Sequence, residues 1–202
     1  MLINLLRHGE VEGENCFRGH SDEPLSKAGW LQMTNAVACC QPDLIISSPL
    51  KRCAVFAAEW SAQQQIKLIE MADFKEINFG DWDGLSAEQI QLTSAAELNQ
   101  FWSNPTEYTP PNAETLKDFQ RRVVTGWQQL INRFKDQNIL LVTHGGVIRI
   151  IIAHILSIPV DKILSIESAL ASMTQIRISF DDNNQSYASL VYHANINQPG
   201  DT

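Results

Sequence analysis

Short apolar runs recur along the chain and alternate with longer stretches of helical periodicity. Four runs have the length and composition of buried strands, at positions 2–6, 43–47, 66–69 and 138–143. Ser48-Pro49 follows the second run and has the form of a helix start, with a hydroxyl N-cap and proline at the first helical position. We expect that helix to reach about Gln64, and a second helix to run from the end of the fourth strand through Leu156.

The clearest helical pattern lies between the third and fourth runs. Apolar residues recur there at steps of three and four, at Leu116, Phe119, Val123, Trp127, Leu130, Ile131 and Phe134. This pattern predicts an amphipathic helix, with Asn112 as its expected N-cap. Further on, residues 173–180 and 186–193 flank Asp181-Asp182-Asn183-Asn184, which predicts a β-hairpin.

Strands that alternate with helices indicate a mostly parallel sheet with helices on both faces. We therefore expect a three-layer α/β/α sandwich with a C-terminal hairpin. No repeat, low-complexity tract or linker interrupts the sequence, so a single domain over residues 1–202 is predicted. A domain of this size buries roughly 70% of the surface of its unfolded chain, which is enough to fold without a disulfide or a metal.

The charge balance limits the possible partners. Fifteen Lys and Arg residues stand against 23 Asp and Glu residues, a net charge of −8. This excess of acidic residues argues against nucleic acid or a membrane surface as main partner, although a few arginines can still hold a small anion. The N-terminus lacks a signal-peptide pattern, and the apolar stretch 147–158 is too short to span a bilayer. We expect a cytoplasmic protein with four reduced, buried thiols at Cys16, Cys39, Cys40 and Cys53.

Charged side chains follow the predicted strands at the edge where open α/β sheets bind ligands. Arg7-His8 follows the first strand, Arg52 lies just after the second, and His144 follows the fourth, while Glu76 lies several residues past the third. Two arginines and two histidines at one edge predict a site for a compact anion. Phosphate is the best candidate, because its oxygens match the guanidinium group.

Three kinds of site are compatible with these residues. A histidine nitrogen can attack phosphorus while arginines hold the oxygens, and Glu76 is the natural acid for the leaving group. A metal site built from His8, His144 and Glu76 is disfavoured, because the arginines repel a divalent cation and no H-x-x-x-H or D-x-D cluster occurs. A non-catalytic phosphate-binding module would be marked by loss of the nucleophile or acid, and both are present.

Several segments, in matching order, resemble motifs of the histidine phosphatase superfamily, which also contains cofactor-dependent phosphoglycerate mutase. They are Leu6-Arg7-His8-Gly9-Glu10 and the segments 19–26, 47–53, 74–84 and 143–146. The resemblance implies that His8 is a phosphohistidine nucleophile and that Glu76 donates and accepts the proton. It assigns the phosphate pocket to Arg7, Arg52 and His144, with the Gly145 amide as an extra donor.

Two positions depart from the pattern of the family. The superfamily usually has an asparagine six residues after the nucleophile, where this chain has Glu14, so Asn15 is the expected substitute. Ala113 replaces the glycine of a usual Gly-Glu pair, and Glu114 is expected to line the pocket.

Within the superfamily the chain is most similar to the alpha-ribazole phosphatases of the nucleotide-loop arm of cobalamin synthesis. The similarity rests on the length, on Phe79-Gly80-Asp81-Trp82, and on the helix around Trp102. It implies hydrolysis of alpha-ribazole 5'-phosphate, a small phosphate monoester, without a metal or other cofactor. A broad-specificity sugar-phosphate phosphatase and a phosphoglycerate mutase-like enzyme are the alternatives, and the sequence does not predict an oligomeric state.

Overall fold

The computed structural model describes residues 1–195, which contain one six-stranded sheet. Its strands are β1 (Leu2–Arg7), β2 (Leu44–Ser47), β3 (Leu68–Glu70), β4 (Ile139–Thr143), β5 (Met173–Phe180) and β6 (Ser186–Asn195). They are arranged in the order β3-β2-β4-β1-β5-β6, in which the first four are parallel and the last two antiparallel. The predicted mostly parallel sheet with its C-terminal hairpin is confirmed. The predicted single domain extends over 196–202, which lie outside the described residues.

Five helices accompany the sheet in the described part of the chain. They are α1 (Lys27–Ala36), α2 (Lys51–Gln64), α3 (Ala87–Ser103), α4 (Leu116–Arg133) and α5 (Gly145–Leu156). Helix α3 is kinked at Ser94, where the backbone leaves the helical region. Short 3₁₀ turns occur at Ala72–Phe74, Gly80–Trp82 and Val160–Ser165.

Two hydrophobic cores lie on opposite faces of the sheet. Ile3 and Leu5 of β1 pack in one core with apolar residues of α4 and α5. Leu6, the next residue along the strand, packs in the other core with residues of α1 and α2. Successive strand residues point to opposite faces, so buried strands with helices on both sides need apolar residues throughout. The predicted α/β/α sandwich is therefore confirmed.

Both predicted helix caps are wrong. Helix α2 begins at Lys51 rather than after Ser48, and its N-cap Leu50 makes no side-chain cap hydrogen bond. The Ser48 hydroxyl is instead hydrogen-bonded to His144. Asn112 has a left-handed backbone with φ of 59°, and its side-chain Nδ2 donates to Asp81 Oδ1 at 2.9 Å. Helix α4 is capped by Thr115, whose hydroxyl accepts from the Asp118 amide at 3.1 Å.

The cysteines differ from the prediction of four buried thiols. All four are free, but only Cys53 is buried, whereas Cys39 is exposed and Cys16 and Cys40 are half-buried. Cys39 and Cys40 lie beyond the end of α1, where Cys39 faces solvent and Cys40 packs against the edge of the core. Within residues 1–195, no helix has the length and apolar character needed to cross a membrane.

Candidate active site

The carboxyl ends of three parallel strands place the predicted residues at one edge of the sheet. Arg7 pairs with Thr143 in register, and the His8 amide donates to the Thr143 carbonyl at 2.9 Å. His144 follows directly, and its ring centroid lies 5.3 Å from that of His8. Arg52, on the first turn of α2, donates from Nε to His144 Nδ1 at 3.2 Å. We call Arg7, His8, Arg52 and His144 the histidine–arginine cluster.

His8 is held in one tautomer by its own loop. Its Nδ1 lies 2.8 Å from the Gly9 carbonyl oxygen, which can only accept, so Nδ1 carries the proton and Nε2 keeps its lone pair. Burial lowers the pKa of His8 well below its usual value, and the charges of Arg52 and Arg7 lower it further. The ring is therefore neutral at physiological pH, as a nucleophile must be.

The loop that anchors His8 packs directly on α1. A Cβ atom on Gly9 would lie 2.3 Å from the carbonyl oxygen of Gly29, a contact that forces the structure to shift. A Cβ atom on Gly29 would in turn lie 1.9 Å from the carbonyl oxygen of Glu10. Two glycines are therefore required for this close approach of backbone to backbone.

His144 is also buried and neutral. Its Nδ1 accepts from Arg52, so Nε2 carries the proton and donates to Ser48 Oγ at 2.8 Å. Burial lowers the pKa of His144 well below its usual value, with Arg52 as the next largest cause. The Cys53 sulfur packs against the ring at 3.7 Å from Nε2. Both ring nitrogens are thus engaged within the protein.

Arg52 uses most of its donors to fix the neighbouring loop. It is fully buried, and besides His144 it donates to the carbonyl oxygens of Ser21 and Gly19, both at 2.7 Å, and of Arg18 at 3.3 Å. Its charge therefore stays in the site, while its hydrogen bonds order the segment 18–21 around it.

The Glu76 carboxylate is fixed beside the cluster by two backbone amides. Oε1 accepts from the Ile77 amide and Oε2 from the Gly146 amide, each at 3.0 Å. Burial lowers the pKa of the Arg7 guanidinium, and the nearby charge of Glu76 opposes that shift. A Cβ atom on Gly145 would lie 3.2 Å from Arg7 Nε, so the start of α5 lies against both Arg7 and Glu76.

Polar groups without partners concentrate around the cluster. Arg7 donates from Nη1 to the Ser168 carbonyl, but its Nε is buried with no hydrogen-bond partner. Arg18 Nη1, Ser21 Oγ and Ser168 Oγ are buried and unpartnered in the same way, as are two acceptors, Glu23 Oε2 of the same loop and Gln137 Oε1. An unsatisfied buried donor costs about 1–3 kcal/mol. Unpaired donors beside two arginines favour a site in which a bound anion accepts their hydrogen bonds.

Asn15 and Glu114 lie outside the cluster. Asn15 is exposed in the β1–α1 loop, and across residues 1–195 no hydrogen bond connects it to the cluster. Glu114 forms an ion pair with Arg122, with Oε2 at 2.7 Å from Nη2, and accepts from the Asn78 amide at 3.4 Å.

Arg122 is a residue that sequence reasoning missed. It donates to the Glu114 carboxylate and to four carbonyl oxygens, those of Ala72 at 3.4 Å, Asp73 at 2.8 Å, Lys75 at 3.1 Å and Glu76 at 3.4 Å. It therefore supports the whole segment that carries Glu76. In the sequence it is one polar residue on an amphipathic helix, with no local signal. Ser48 was noticed, but only as a helix cap.

The geometry does not favour the alternative metal site. Both nitrogens of His144 and both oxygens of Glu76 are already hydrogen-bonded. Over residues 1–195, no group of three or more His, Cys, Asp or Glu side chains is placed to hold a metal ion.

Comparison with known proteins identifies the family. The model of the histidine phosphatase superfamily, branch 1, matches residues 3–190. The chain belongs to the histidine phosphatase superfamily. The resemblance found in the sequence motifs is thereby confirmed.

Individual members of the superfamily that resemble the chain have different names. The adenosylcobalamin/alpha-ribazole phosphatase of Escherichia coli is 28% identical over 167 residues, covering 80% of this chain and 82% of that protein. A 2,3-bisphosphoglycerate-dependent phosphoglycerate mutase of Cytophaga hutchinsonii is 28% identical over 201 residues, covering 94% of each. A bifunctional protein of Mycobacterium tuberculosis is 28% identical over 154 residues. The match covers 73% of this chain but only 42% of that protein, so the chain spans less than half of its length.

The fold is shared with solved structures of the superfamily. The alpha-ribazole phosphatase from Shigella flexneri superimposes with a TM-score of 0.83 at 24% identity, covering 96% of both chains. At this identity the similarity shows the fold alone. It agrees with the three-layer arrangement described above.

Proposed function

We propose that this histidine phosphatase superfamily member is a metal-independent phosphomonoester hydrolase that works through a phosphohistidine at His8. The proposal rests on one observation above all. The Nδ1–H of His8 is bound to the Gly9 carbonyl at 2.8 Å, which leaves a neutral ring with a lone pair on Nε2 beside two arginines. This is the protonation state required for attack on phosphorus.

In the first step, His8 Nε2 forms a bond to phosphorus while the bond from phosphorus to the ester oxygen breaks. Arg7 Nε and the Gly145 amide donate to the phosphoryl oxygens, and the buried charge of Arg52 stabilises the negative charge that develops on them, because fixed groups need no reorganisation during the reaction. Glu76 in its acid form gives its proton to the departing alkoxide, and the product alcohol leaves.

In the second step, water attacks the phosphorus of phosphohistidine. The Glu76 carboxylate takes a proton from that water, and the electron pair of the breaking P–N bond returns to Nε2. Inorganic phosphate is released, and both Glu76 and His8 regain their starting states. The Ile77 and Gly146 amides hold the carboxylate in place for both proton transfers.

As the substrate we propose alpha-ribazole 5'-phosphate. The name of the Escherichia coli relative and the motifs around Trp82 support this choice. Phe17, Phe101 and Trp102 form aromatic contacts with one another at centroid distances of 5.4–6.1 Å, and Trp102 is half-exposed. Such a surface suits a heterocyclic alcohol group.

A mutase-like reaction is the second candidate, because the Cytophaga hutchinsonii relative matches over 94% of both chains. A panel of phosphate monoesters separates the candidates by their kcat/KM values. We expect alpha-ribazole 5'-phosphate to exceed simple sugar phosphates and phosphoglycerates by at least about 100-fold, or about 2.7 kcal/mol of transition-state stabilisation. Equal values throughout the panel would contradict the substrate assignment.

The covalent step is tested with labelled substrate. After brief exposure to a ³²P-monoester, we expect label on the protein that is stable in alkali and labile in acid, and no label on His8→Ala. Turnover of p-nitrophenyl phosphate should persist in the presence of a chelator. Tight binding of phosphate without turnover would indicate a non-catalytic module, and chelator-sensitive turnover would indicate a metal enzyme.

A further inference from the structure

We propose that Arg18 supplies an additional guanidinium donor to the phosphate group of the substrate, in place of the asparagine that the superfamily usually has after its nucleophile. The inference rests on the proposed function, because it concerns the same site. It assigns a binding role to a residue that the motifs did not single out.

The Arg18 side chain has one end fixed and the other free. Its Nη2 donates to the carbonyl oxygen of Glu14, whereas its Nη1 is buried and has no hydrogen-bond partner. Leaving a buried charged donor unpaired is costly, so such a group in a native protein requires an explanation, and a bound ion is one of the established explanations. An anionic oxygen is the partner that satisfies a guanidinium N–H best.

Arg18 lies next to the reacting groups. Its own carbonyl oxygen accepts from Arg52 Nη2 at 3.3 Å, so its backbone is bonded to a member of the histidine–arginine cluster. Its charge is also close enough to lower the pKa of His8, after burial and the charges of Arg52 and Arg7. The backbone hydrogen bond locates Arg18 directly beside the cluster, and the effect on His8 agrees with that position.

The segment around Arg18 is rigidly held. The Phe17 amide donates to Leu85 at 2.9 Å, and the Phe17 carbonyl accepts from Gly84 at 2.8 Å. The Gly19 amide donates to Asp83 Oδ1 at 3.0 Å. A donor fixed before the ligand arrives loses little entropy on binding, so its hydrogen bond contributes more to affinity.

The expected asparagine does not fill this position. Glu14 occupies the usual place and is exposed, and its carboxylate would repel a phosphate dianion. Asn15 is exposed on the same loop. Arg18 is the residue of this loop whose side-chain nitrogen is both buried and unpaired, and it brings a full positive charge where asparagine would bring a neutral amide.

The test compares Arg18→Ala, Arg18→Gln and Arg18→Lys in the full chain. Affinity for inorganic phosphate is measured by calorimetry, and kcat/KM with p-nitrophenyl phosphate, which has no second anionic group. We expect Arg18→Ala to weaken both by about 10- to 100-fold, as for loss of a charge-assisted hydrogen bond, and Arg18→Lys to recover part of the loss. Arg121→Ala removes an exposed arginine of the same charge and should change either value by less than about twofold.

Three results would overturn the inference. One is an Arg18→Ala variant within twofold of wild type in both measurements. Another is a large loss of phosphate affinity in Asn15→Ala with none in the Arg18 variants, which would return the role to Asn15. The third is a loss confined to esters with a second anionic group, such as 3-phosphoglycerate, which would place Arg18 on the alcohol side. Phosphate affinity is measured without turnover, so this test does not depend on a phosphohistidine. Absence of a phosphohistidine would contradict the proposed function but would not decide whether Arg18 binds phosphate.

Discussion

The Gly146 backbone lies directly against the Glu76 carboxylate at the start of α5. The Gly146 amide donates to Glu76 Oε2 at 3.0 Å, and a Cβ atom on Gly146 would lie 2.2 Å from Oε1. Any side chain at position 146 therefore displaces the carboxylate. The second glycine of Thr143-His144-Gly145-Gly146 has a direct role in placing the proposed acid.

Gly146→Ala is expected to reduce activity through Glu76. For esters of poorly acidic alcohols, kcat/KM should fall by about 10²-fold, because the acid no longer reaches the leaving oxygen. For p-nitrophenyl phosphate, whose leaving group needs little protonation, the loss should be smaller. Glu76→Gln should show the same selectivity, and the double variant should lose little more than either single variant. Additive losses would mean that Gly146 acts independently of Glu76.

Arg122 is expected to stabilise the segment that carries Glu76. Arg122→Met leaves Glu114 without its partner and frees four backbone carbonyls, so the free energy of unfolding should drop by about 2–3 kcal/mol. The adjacent Arg121→Met breaks an exposed pair with Asp118 and should leave the free energy of unfolding close to that of the wild type. Urea unfolding of both variants measures the contrast. Equal effects would show that the buried network is not what holds this segment.

Lowering the pH below about 6.5 is expected to destabilise the fold. Burial lowers the folded-state pKa of His8 and His144, whereas the unfolded imidazoles titrate near about 6.5. Above that pH both states are neutral at these groups. Below it the unfolded chain binds more protons, so stability falls by about 1.4 kcal/mol per pH unit for each histidine until the folded-state pKa is reached.

Urea unfolding at several pH values between 5 and 8 measures this slope. His8→Asn should give a shallower slope below pH 6.5 than the wild type, because one buried imidazole is removed. An unchanged slope in His8→Asn would contradict the assignment of a neutral, buried ring.

The thiols are expected to react unequally with alkylating agents. Burial raises the pKa of Cys53, which is packed against His144, so its reactive thiolate is absent in the folded protein. Cys39 is exposed and should be modified first. Mass spectrometry after brief iodoacetamide treatment should find Cys53 unmodified until urea is added. Modification of Cys53 in the native protein would show that the region around His144 opens to solvent.

The sequence predicted those parts of the fold and site that depend on local pattern. The apolar runs predicted the parallel strands, and their carboxyl ends bring Arg7, His8 and His144 together as expected from strand order. Arg52 was placed correctly at the start of α2 even though the N-cap was assigned to Ser48 instead of Leu50. A shift of two residues in the start of the helix still leaves Arg52 in its first turn.

Long-range contacts could not be predicted in this way. Ser48 bonds to His144 across 96 positions of sequence, and Arg122 to the Lys75 carbonyl across 47. A serine before a proline, or an arginine on the polar face of a helix, has the same local pattern whether or not such a partner exists. Asn112 was misassigned for a related reason, since its side chain bonds to Asp81, 31 positions away in the sequence, and its backbone is left-handed.

Gly9 and Gly29 let α1 pack directly against the loop that follows His8. No side chain separates that helix from the loop whose carbonyl orients the imidazole, so a displacement of α1 passes directly to the ring. During attack on phosphorus, the loop that orients the imidazole is supported by main chain, which has no rotamers to rearrange. A single methyl group added at position 29, on a helix with no proposed role in the chemistry, would thus move the reacting nitrogen.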